Sequence, residues 1–397
     1  MGICVSTVVG TDRSAQQVPL NNPEMEEPPE EIIKQKNEVV LQQPSRTKDF
    51  DADDNPLPAA GLPFRGCTNN EGKIRKTLCK STHKKTHMHI PLIFVVILTL
   101  VLSVLSVTDL EWEDRISINR GFSLFFYGLV FFTVLYYALN NLLLRTTSGQ
   151  RFMKTYKLTV ADVYDINNKQ VSAVQALFCC ITGMTSCTYS CTRDMLRTSH
   201  YISEAYAWFG AAYFFYDIWS MYKVHNVKIL QVSMNGDVKR SGVKFFSYLQ
   251  THAIIVGHHI FIGGFGFLVI TYLRGGLGDC FFGFVYLMEA STPFVSLRGI
   301  LSKIGMKSSN LYVINGLVML TTFFVCRVAM FPCVIYLYAR SIDLDYISAI
   351  HSLPNGCKIS ILILLLPQIY WFLLMVKGAS QVLKGKVTKK KTLKNVH

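Results

Sequence analysis

The chain has 397 residues, of which 50% are hydrophobic and 17% are charged, and its formal net charge is +14 at pH 7. Charged residues make up about a quarter of ordinary soluble domains, so this composition argues against a soluble globular protein and predicts an integral membrane protein. The sequence contains no Walker loop, no GxSxG and no HExxH, which argues against a soluble-enzyme active site.

The first 88 residues are predicted to stay outside the membrane. They are rich in Pro, Glu, Gln, Asn and Lys, as in NNPEMEEPPEEIIKQKNEVVLQQP, and show neither helical nor strand periodicity. Too little apolar surface is present to offset the entropy of ordering, so residues 1–88 are predicted to form a disordered cytosolic tail. The start, MGICVS, fits the pattern for myristoylation of Gly2, and Cys4 is placed for a second, palmitoyl chain.

Apolar segments of about 20 residues, the length that crosses the hydrocarbon core, follow from residue 89 onwards. Because lipid permits only helices or closed barrels, these segments predict an all-α fold, a polytopic membrane helical bundle of about eight transmembrane helices. The predicted spans are 90–107, 121–144, 171–191, 201–222, 248–272, 279–297, 311–337 and 357–376. The predicted regions are an extra transmembrane helix (89–110), a first bundle helix with a basic loop (118–157), a main helical domain (158–378) and a basic cytosolic tail (379–397).

The lysines and arginines between the spans are distributed unevenly. If residues 1–88 are cytosolic, 26 basic residues fall in cytosolic segments and six fall on the opposite side, which also holds the acidic DLEWED. The positive-inside rule therefore predicts that both termini are cytosolic. Because the basic excess is spread over the loops of one membrane face, the predicted partner is anionic membrane lipid and not nucleic acid.

Engineered glycosylation acceptors test this orientation. Acceptors placed in 108–120 and 341–355 are expected to be modified, because these segments are predicted to face the lumen, whereas acceptors in 223–247 are expected to stay unmodified. Modification is measured as a mobility shift that a glycosidase removes. A modified acceptor in 223–247 would contradict the predicted number of spans.

The eleven cysteines are predicted to form neither a disulfide nor a zinc framework. No C-x-x-C occurs, and most of the cysteines lie in or beside spans, where a thiol usually acts as a small packing residue. Cys187 and Cys191, one helical turn apart, are the one pair that the spacing singles out.

Six charged or titratable side chains lie inside predicted spans, where such groups cost a few kcal/mol on insertion scales and tend to mark function. They are Asp217, His252, His258, His259, Glu289 and Arg327. Helical geometry places His252 and His259 on one face, with His258 about 100° away from His259. A buried imidazole is neutral at little cost near pH 7 and can act as a base or a nucleophile.

These residues also have structural interpretations. A histidine inside a bundle can hydrogen-bond a neighbouring helix, contributing on the order of 1 kcal/mol, and Glu289 with Arg327 can form a structural ion pair. A metal site of two histidines and one carboxylate is a further alternative. No metal is predicted, because one helix does not easily aim both His258 and His259 at one ion.

Several long motifs resemble those of the TLC-domain membrane proteins, which include the ceramide synthases. The motifs are YFFYDIWSMY, the HH of His258 and His259, RGGLGDCFFGFVYLMEASTPFVSLRGIL, LYVINGLVMLTTFFVCRVAMFP and LLPQIYWF. The resemblance is strongest to the TLC domain-containing protein 3 subgroup, and 158–378 would be the TLC domain. It implies a seven-helix bundle around a lipid-sized chamber in the endoplasmic reticulum or Golgi, to which the tail and the span 90–107 are additions.

The resemblance also implies roles for the site residues. In ceramide synthases the paired histidines serve acyl transfer from acyl-CoA to a sphingoid base, so His258 would be the acyl acceptor or base and His259 its neighbour. The synthases have a His-Asp pair and a further Asp where this chain reads MEAST, so Glu289 would supply the carboxylate, and Gln175 stands where His is frequent. The remaining candidates for substrate binding are His252, Asp217 and Arg327. Acyl-CoA is a co-substrate, no bound cofactor is implied, and the oligomeric state is open.

Two hypotheses about function follow. The first is a sphingoid base N-acyltransferase, whose histidines lie among apolar residues because both substrates are lipids. The second is a non-catalytic TLC protein that binds lipid and regulates membrane lipid composition, since a fold does not prove an activity. The position of Glu289 relative to His258 and His259 distinguishes them.

Overall fold

The computed structural model of the protein describes residues 89–234 and 245–394. The predicted tail, with the acylation candidates Gly2 and Cys4, lies outside the described residues, as do residues 235–244, within the segment 223–247 predicted to be cytosolic, and the last three residues. The described residues form helices α1 (His89–Leu105), α2 (Ile118–Arg145), α3 (Thr147–Thr155), α4 (Val160–Ser190), α5 (Tyr201–Met234), α6 (Phe245–Thr251), α7 (Ala253–Leu273), α8 (Asp279–Lys303), α9 (Asn310–Ser341), α10 (Tyr346–Ser352) and α11 (Asn355–Lys394).

Six of these helices are long and apolar enough to cross a membrane: α2, α4, α7, α8, α9 and α11. They coincide with six of the eight predicted spans, and the prediction of an all-α membrane bundle is confirmed for the part of the chain described. The first predicted span corresponds to α1, an apolar helix of 17 residues. The predicted span 201–222 lies in α5, which is 34 residues long but is not among the six.

Helix α5 differs because it is buried in the bundle, where it packs against α2, α4 and α7. Its tyrosines, together with Glu204 and Asp217, lower its hydropathy, and these polar groups find partners on neighbouring helices. At Gly128 the backbones of α2 and α5 approach so closely that an added Cβ would lie 2.3 Å from the carbonyl oxygen of Phe209. Small residues allow such approaches between membrane helices.

Three of the spanning helices depart from regular α-helix. Helix α7 contains two π-helical segments, Phe261–Gly266 and Val269–Leu273, and α9 contains a third, Phe324–Ala329. Helix α8 tightens into a 3₁₀ turn at Met288–Ser291. π-helical turns are rare and frequently occur at functional sites, so these segments direct attention to the space between α7, α8 and α9.

A disulfide joins Cys191, at the end of α4, to Cys280, at the start of α8. The prediction that the cysteines form no disulfide is therefore wrong. The two residues are 89 positions apart in sequence, and only the packing of α4 against α8 brings their Cα atoms to 4.9 Å. Cys187, which the spacing paired with Cys191, is a free thiol. Disulfides persist in oxidising compartments, and this one lies on the side predicted to face away from the cytosol.

Peptide mapping without reduction is expected to recover Cys191 and Cys280 in one linked pair of peptides. Changing Cys191 to Ser should release a Cys280 thiol that reacts with a maleimide, whereas Cys187→Ser, one turn away, should leave the linked pair intact. Maleimide labelling of Cys280 in the unreduced wild-type protein would contradict the disulfide.

A buried ion pair lies next to this disulfide. Arg274, at the end of α7, is 2% exposed and pairs with the fully buried Asp279 at the start of α8. Asp279 also accepts hydrogen bonds from the backbone N–H of His200 and from Ser203 Oγ on α5. The intervening turn, GGLG, returns the chain sharply through positive φ angles of 65° and 75°, which glycine adopts without strain. One carboxylate thus holds α5, α7 and α8 together at this end of the bundle.

Candidate functional site

Helices α4, α5, α7, α8, α9 and α11 enclose a cavity of about 610 Å³, which we call the chamber. Its volume is in the range of ligand pockets, and most of its wall is apolar. All three π-helical segments, two on α7 and one on α9, contribute residues to the wall. The polar residues that line it are Gln175, Tyr206, His258, Tyr286, Glu289, Arg327, Ser360 and Gln368. An apolar chamber with a few polar groups suits a ligand with a long hydrocarbon part.

His258 is the histidine that lines the chamber. Its ring centroid lies 5.8 Å from that of Trp371 on α11, and the two rings are edge to face. Within the described part of the chain, its side chain makes neither a hydrogen bond nor an ion pair. Both ring nitrogens of His258 are therefore available to a ligand.

His259 has a different environment. Its Nε2 lies 2.8 Å from Oδ2 of Asp217 on α5, and its Nδ1 lies 2.8 Å from the carbonyl oxygen of Ile255. A carbonyl oxygen only accepts, so Nδ1 is the donor to Ile255, and Nε2 is bonded to the carboxyl group of Asp217. His259 thus has no free nitrogen for a nucleophilic step, and the two adjacent histidines are not equivalent.

Asp217 belongs to a buried polar cluster between α4, α5 and α7. Its Oδ1 accepts a hydrogen bond of 2.8 Å from Asn168 Nδ2. The side-chain oxygen of Asn168 in turn accepts from Tyr216 OH at 2.9 Å and from Ser220 Oγ at 2.6 Å. Asp217 does not line the chamber. The structure therefore brings Asp217 to His259 and away from a bound substrate.

His252 also lies outside the chamber. Its ring stacks on Tyr248 at 4.5 Å and contacts His225 of α5 at 4.8 Å. His252 and His259 both face α5, whereas His258 faces the chamber. His252 and His259 thus share one side and His258 another, as helical geometry predicts.

Glu289 and Arg327 both line the chamber and form an ion pair, with Glu289 Oε1 3.1 Å from Arg327 Nη2. The second carboxylate oxygen accepts a hydrogen bond of 2.5 Å from Thr292, and Arg327 Nε donates to Ser291 Oγ at 2.8 Å. Glu289 therefore bonds Arg327 and Thr292 and neither His258 nor His259, and the carboxylate on an imidazole is Asp217. The ion pair noted as an alternative is the arrangement found.

No group of three or more His, Cys, Asp or Glu side chains in residues 89–234 and 245–394 is placed to hold a metal ion. The two adjacent histidines illustrate why. His258 points into the chamber, whereas His259 points to Asp217 on α5.

Sequence reasoning missed Tyr206 and Tyr286 of the chamber wall, and it also missed two polar residues of α11, Ser360 and Gln368. Both are uncharged and lie in a strongly apolar span, so the search for charged or titratable groups passed over them. Gln368 follows Pro367 in LLLPQIYWF, and a helix-interior proline beside an amide is the signal that singles it out. Gln175, which replaces a frequent histidine, lines the opposite wall and donates to Cys179 Sγ at 3.1 Å.

Comparison with known proteins agrees with this architecture. The TRAM_LAG1_CLN8 family, described as the TLC domain, matches residues 165–377, which include every residue that lines the chamber. TLC domain-containing protein 4-B of Xenopus laevis is 33% identical over 125 residues, covering 30% of this chain and 47% of the relative. The chain thus spans about half the length of that curated relative. Because the family match covers more than half of the chain and the fold is a membrane helical bundle, the chain belongs to the TLC domain family.

Proposed function

We propose that the chain transfers an acyl group from acyl-CoA to the amine of a sphingoid base, as its resemblance to ceramide synthases implies. The observation that supports this proposal is the position of His258, a side chain with two free ring nitrogens in the wall of an apolar chamber. The apolar wall suits the two hydrocarbon chains, and the imidazole lies where their reactive ends would meet.

The proposed reaction has two steps. A nitrogen of neutral His258 attacks the thioester carbonyl, so that a C–N bond forms, the C–S bond breaks and the CoA thiolate leaves. The amine of the base then attacks the acyl-imidazolium, the acyl–imidazole bond breaks to return a neutral imidazole, and the proton lost by the amine goes to the CoA thiolate. Splitting one difficult step into two easier ones is the advantage of a nucleophilic residue, and exclusion of water protects the intermediate from hydrolysis.

The ion pair of Glu289 and Arg327 is proposed to bind the polar end of a substrate. It lies in the chamber wall that also carries His258, with Arg327 14% and Glu289 31% exposed. The carboxylate is suited to an ammonium or hydroxyl group, and the guanidinium to a carbonyl or anionic group. His259 and Asp217 are proposed to hold α7 on α5 and so to position His258.

A non-catalytic function, lipid binding that regulates membrane composition, is the second candidate. It is favoured by one observation, namely that neither carboxylate bonds His258, because Glu289 bonds Arg327 and Asp217 bonds His259. The chamber would then hold a lipid without a chemical step. Membership of the TLC domain-containing protein 3 subgroup, a place in the endoplasmic reticulum or Golgi, and cytosolic termini are proposed with either function.

An assay on purified full-length protein tests the proposal. The protein in lipid nanodiscs is incubated with palmitoyl-CoA and sphinganine, and N-palmitoylsphinganine is measured by mass spectrometry. Product that increases with the amount of protein and requires both substrates supports acyl transfer. Saturable binding of sphinganine or of an acyl chain without product would support the lipid-binding function instead.

A further inference from the structure

Gln368 is a buried side chain with an unpaired acceptor. It is 5% exposed, it lines the chamber, and its Oε1 has no hydrogen-bond partner among the described residues. Buried polar atoms in native proteins nearly always have a partner, because an unpaired one forfeits its hydration without compensation. An unpaired acceptor in the wall of a ligand-sized chamber points to a ligand that supplies the hydrogen.

The neighbouring backbone lacks one helical donor. Pro367 lies inside α11 and has no N–H, so it cannot donate the usual helical hydrogen bond to the carbonyl oxygen of Ile363. Ile363, Pro367 and Gln368 all line the chamber. The missing N–H thus lies directly beside Gln368, whose Oε1, like any carbonyl oxygen, pairs only with a donor.

Gln368 is also close to the proposed reaction centre. Trp371 lies three residues further along α11, about 4.5 Å along the helix axis, and its ring centroid is 5.8 Å from that of His258. A ligand group bound at Gln368 would thus lie about one turn of α11 away from Trp371, the residue that contacts the His258 ring.

We propose that Gln368 is the recognition site for the hydrogen-bond donors of the acyl acceptor, the ammonium or hydroxyl groups of a long-chain amino alcohol. The assignment rests on the proposed function for its substrate class. A fatty acyl chain and its thioester offer acceptors but no donor, so they do not pair with Gln368 Oε1. The unpaired oxygen therefore favours the amine substrate over the acyl substrate.

Equilibrium binding tests this assignment without requiring turnover. Full-length protein in nanodiscs is titrated with tritiated sphinganine, and unlabelled octadecylamine and methyl octadecanoate, which has no donor, serve as competitors. In Gln368→Leu the affinity for sphinganine and octadecylamine is expected to fall about tenfold or more, the effect of losing a hydrogen bond to a charged group. The affinity for methyl octadecanoate should change less than about twofold, because that probe has no donor for Gln368 Oε1.

Two further variants complete the test. Tyr370→Phe is the matched control, because Tyr370 lies two residues from Gln368 on α11 but is 61% exposed and does not line the chamber. It should bind all three probes like the wild type. Gln368→Glu keeps an acceptor and should retain amine binding even if the leucine variant misfolds.

The possible results separate this inference from the proposed function. Donor-selective binding that Gln368→Leu abolishes, in a protein that forms no N-palmitoylsphinganine, would remove the acyltransferase and leave the recognition site. Unchanged sphinganine affinity in folded Gln368→Leu, or equal loss of amine binding in Gln368→Glu and Gln368→Leu, would overturn the recognition site. A wild-type protein that binds methyl octadecanoate as tightly as octadecylamine would overturn it as well.

Discussion

Replacing His258 with alanine is expected to lower the rate of N-palmitoylsphinganine formation by about 10²- to 10⁴-fold, the usual contribution of a general acid or base. The physical reason is that the variant lacks the imidazole to accept the acyl group or to take the proton from the amine. The amount of folded protein should stay the same, because the His258 side chain forms no hydrogen bond or ion pair with any described residue. Product per milligram of protein and the yield of monodisperse protein are the two measurements.

His259→Ala is the matched control, since it removes the adjacent imidazole. It should reduce the yield and thermal stability of the protein, because Asp217 loses the partner that lies 2.8 Å away. An abundant His258→Ala protein with wild-type specific activity would exclude the acyl-histidine mechanism. The lipid-binding function would then be the better account of the chamber.

Asp279→Ala is expected to lower the free energy of unfolding by about 3 to 5 kcal/mol, the cost of leaving one partner of a buried ion pair alone. Asp279 is fully buried, and its removal leaves Arg274 charged and buried without a carboxylate. The N–H of His200 and the hydroxyl of Ser203 also lose their acceptor. Unfolding in mixed micelles, titrated with sodium dodecyl sulfate, measures the change.

Asp109 provides the comparison for Asp279. It also pairs with an arginine, Arg120, at 2.7 Å, but its side chain is 66% exposed. Exposed pairs contribute little because water screens them, so Asp109→Ala should leave the unfolding curve nearly unchanged. Equal effects of the two substitutions would show that burial does not determine the strength of the Arg274–Asp279 pair.

The fold was predictable where one physical rule decides the outcome. The length of each apolar segment, compared with the thickness of the bilayer, predicts the six long apolar helices. The rotation of about 100° per residue in a helix predicts that His258 and His259 face different neighbours. Helix α5 shows the limit of the first rule. Its burial among other helices permits the tyrosines, Glu204 and Asp217, and apolar length alone does not distinguish a central helix from one that faces lipid.

The site was predictable in part. Of the six predicted side chains, Glu289, Arg327 and His258 line the chamber, and the pair of Glu289 with Arg327 is the structural alternative given for them. The pairing of His259 with Asp217 depends on how far α7 is shifted along α5, and a single sequence carries no measure of that shift. Gln368 was not predictable, because only the structure shows that its Oε1 is buried without a hydrogen-bond partner.

The Cys191–Cys280 disulfide encloses α5, α6 and α7 in one covalent ring of the chain. Asp217 and His259 both belong to this ring, on opposite sides of the connection between α5 and α6. A single cut in that connection would leave two polypeptides, one carrying the carboxylate and the other the imidazole. The disulfide would keep the two polypeptides in one molecule, so the Asp217–His259 pair does not require an intact backbone between α5 and α6.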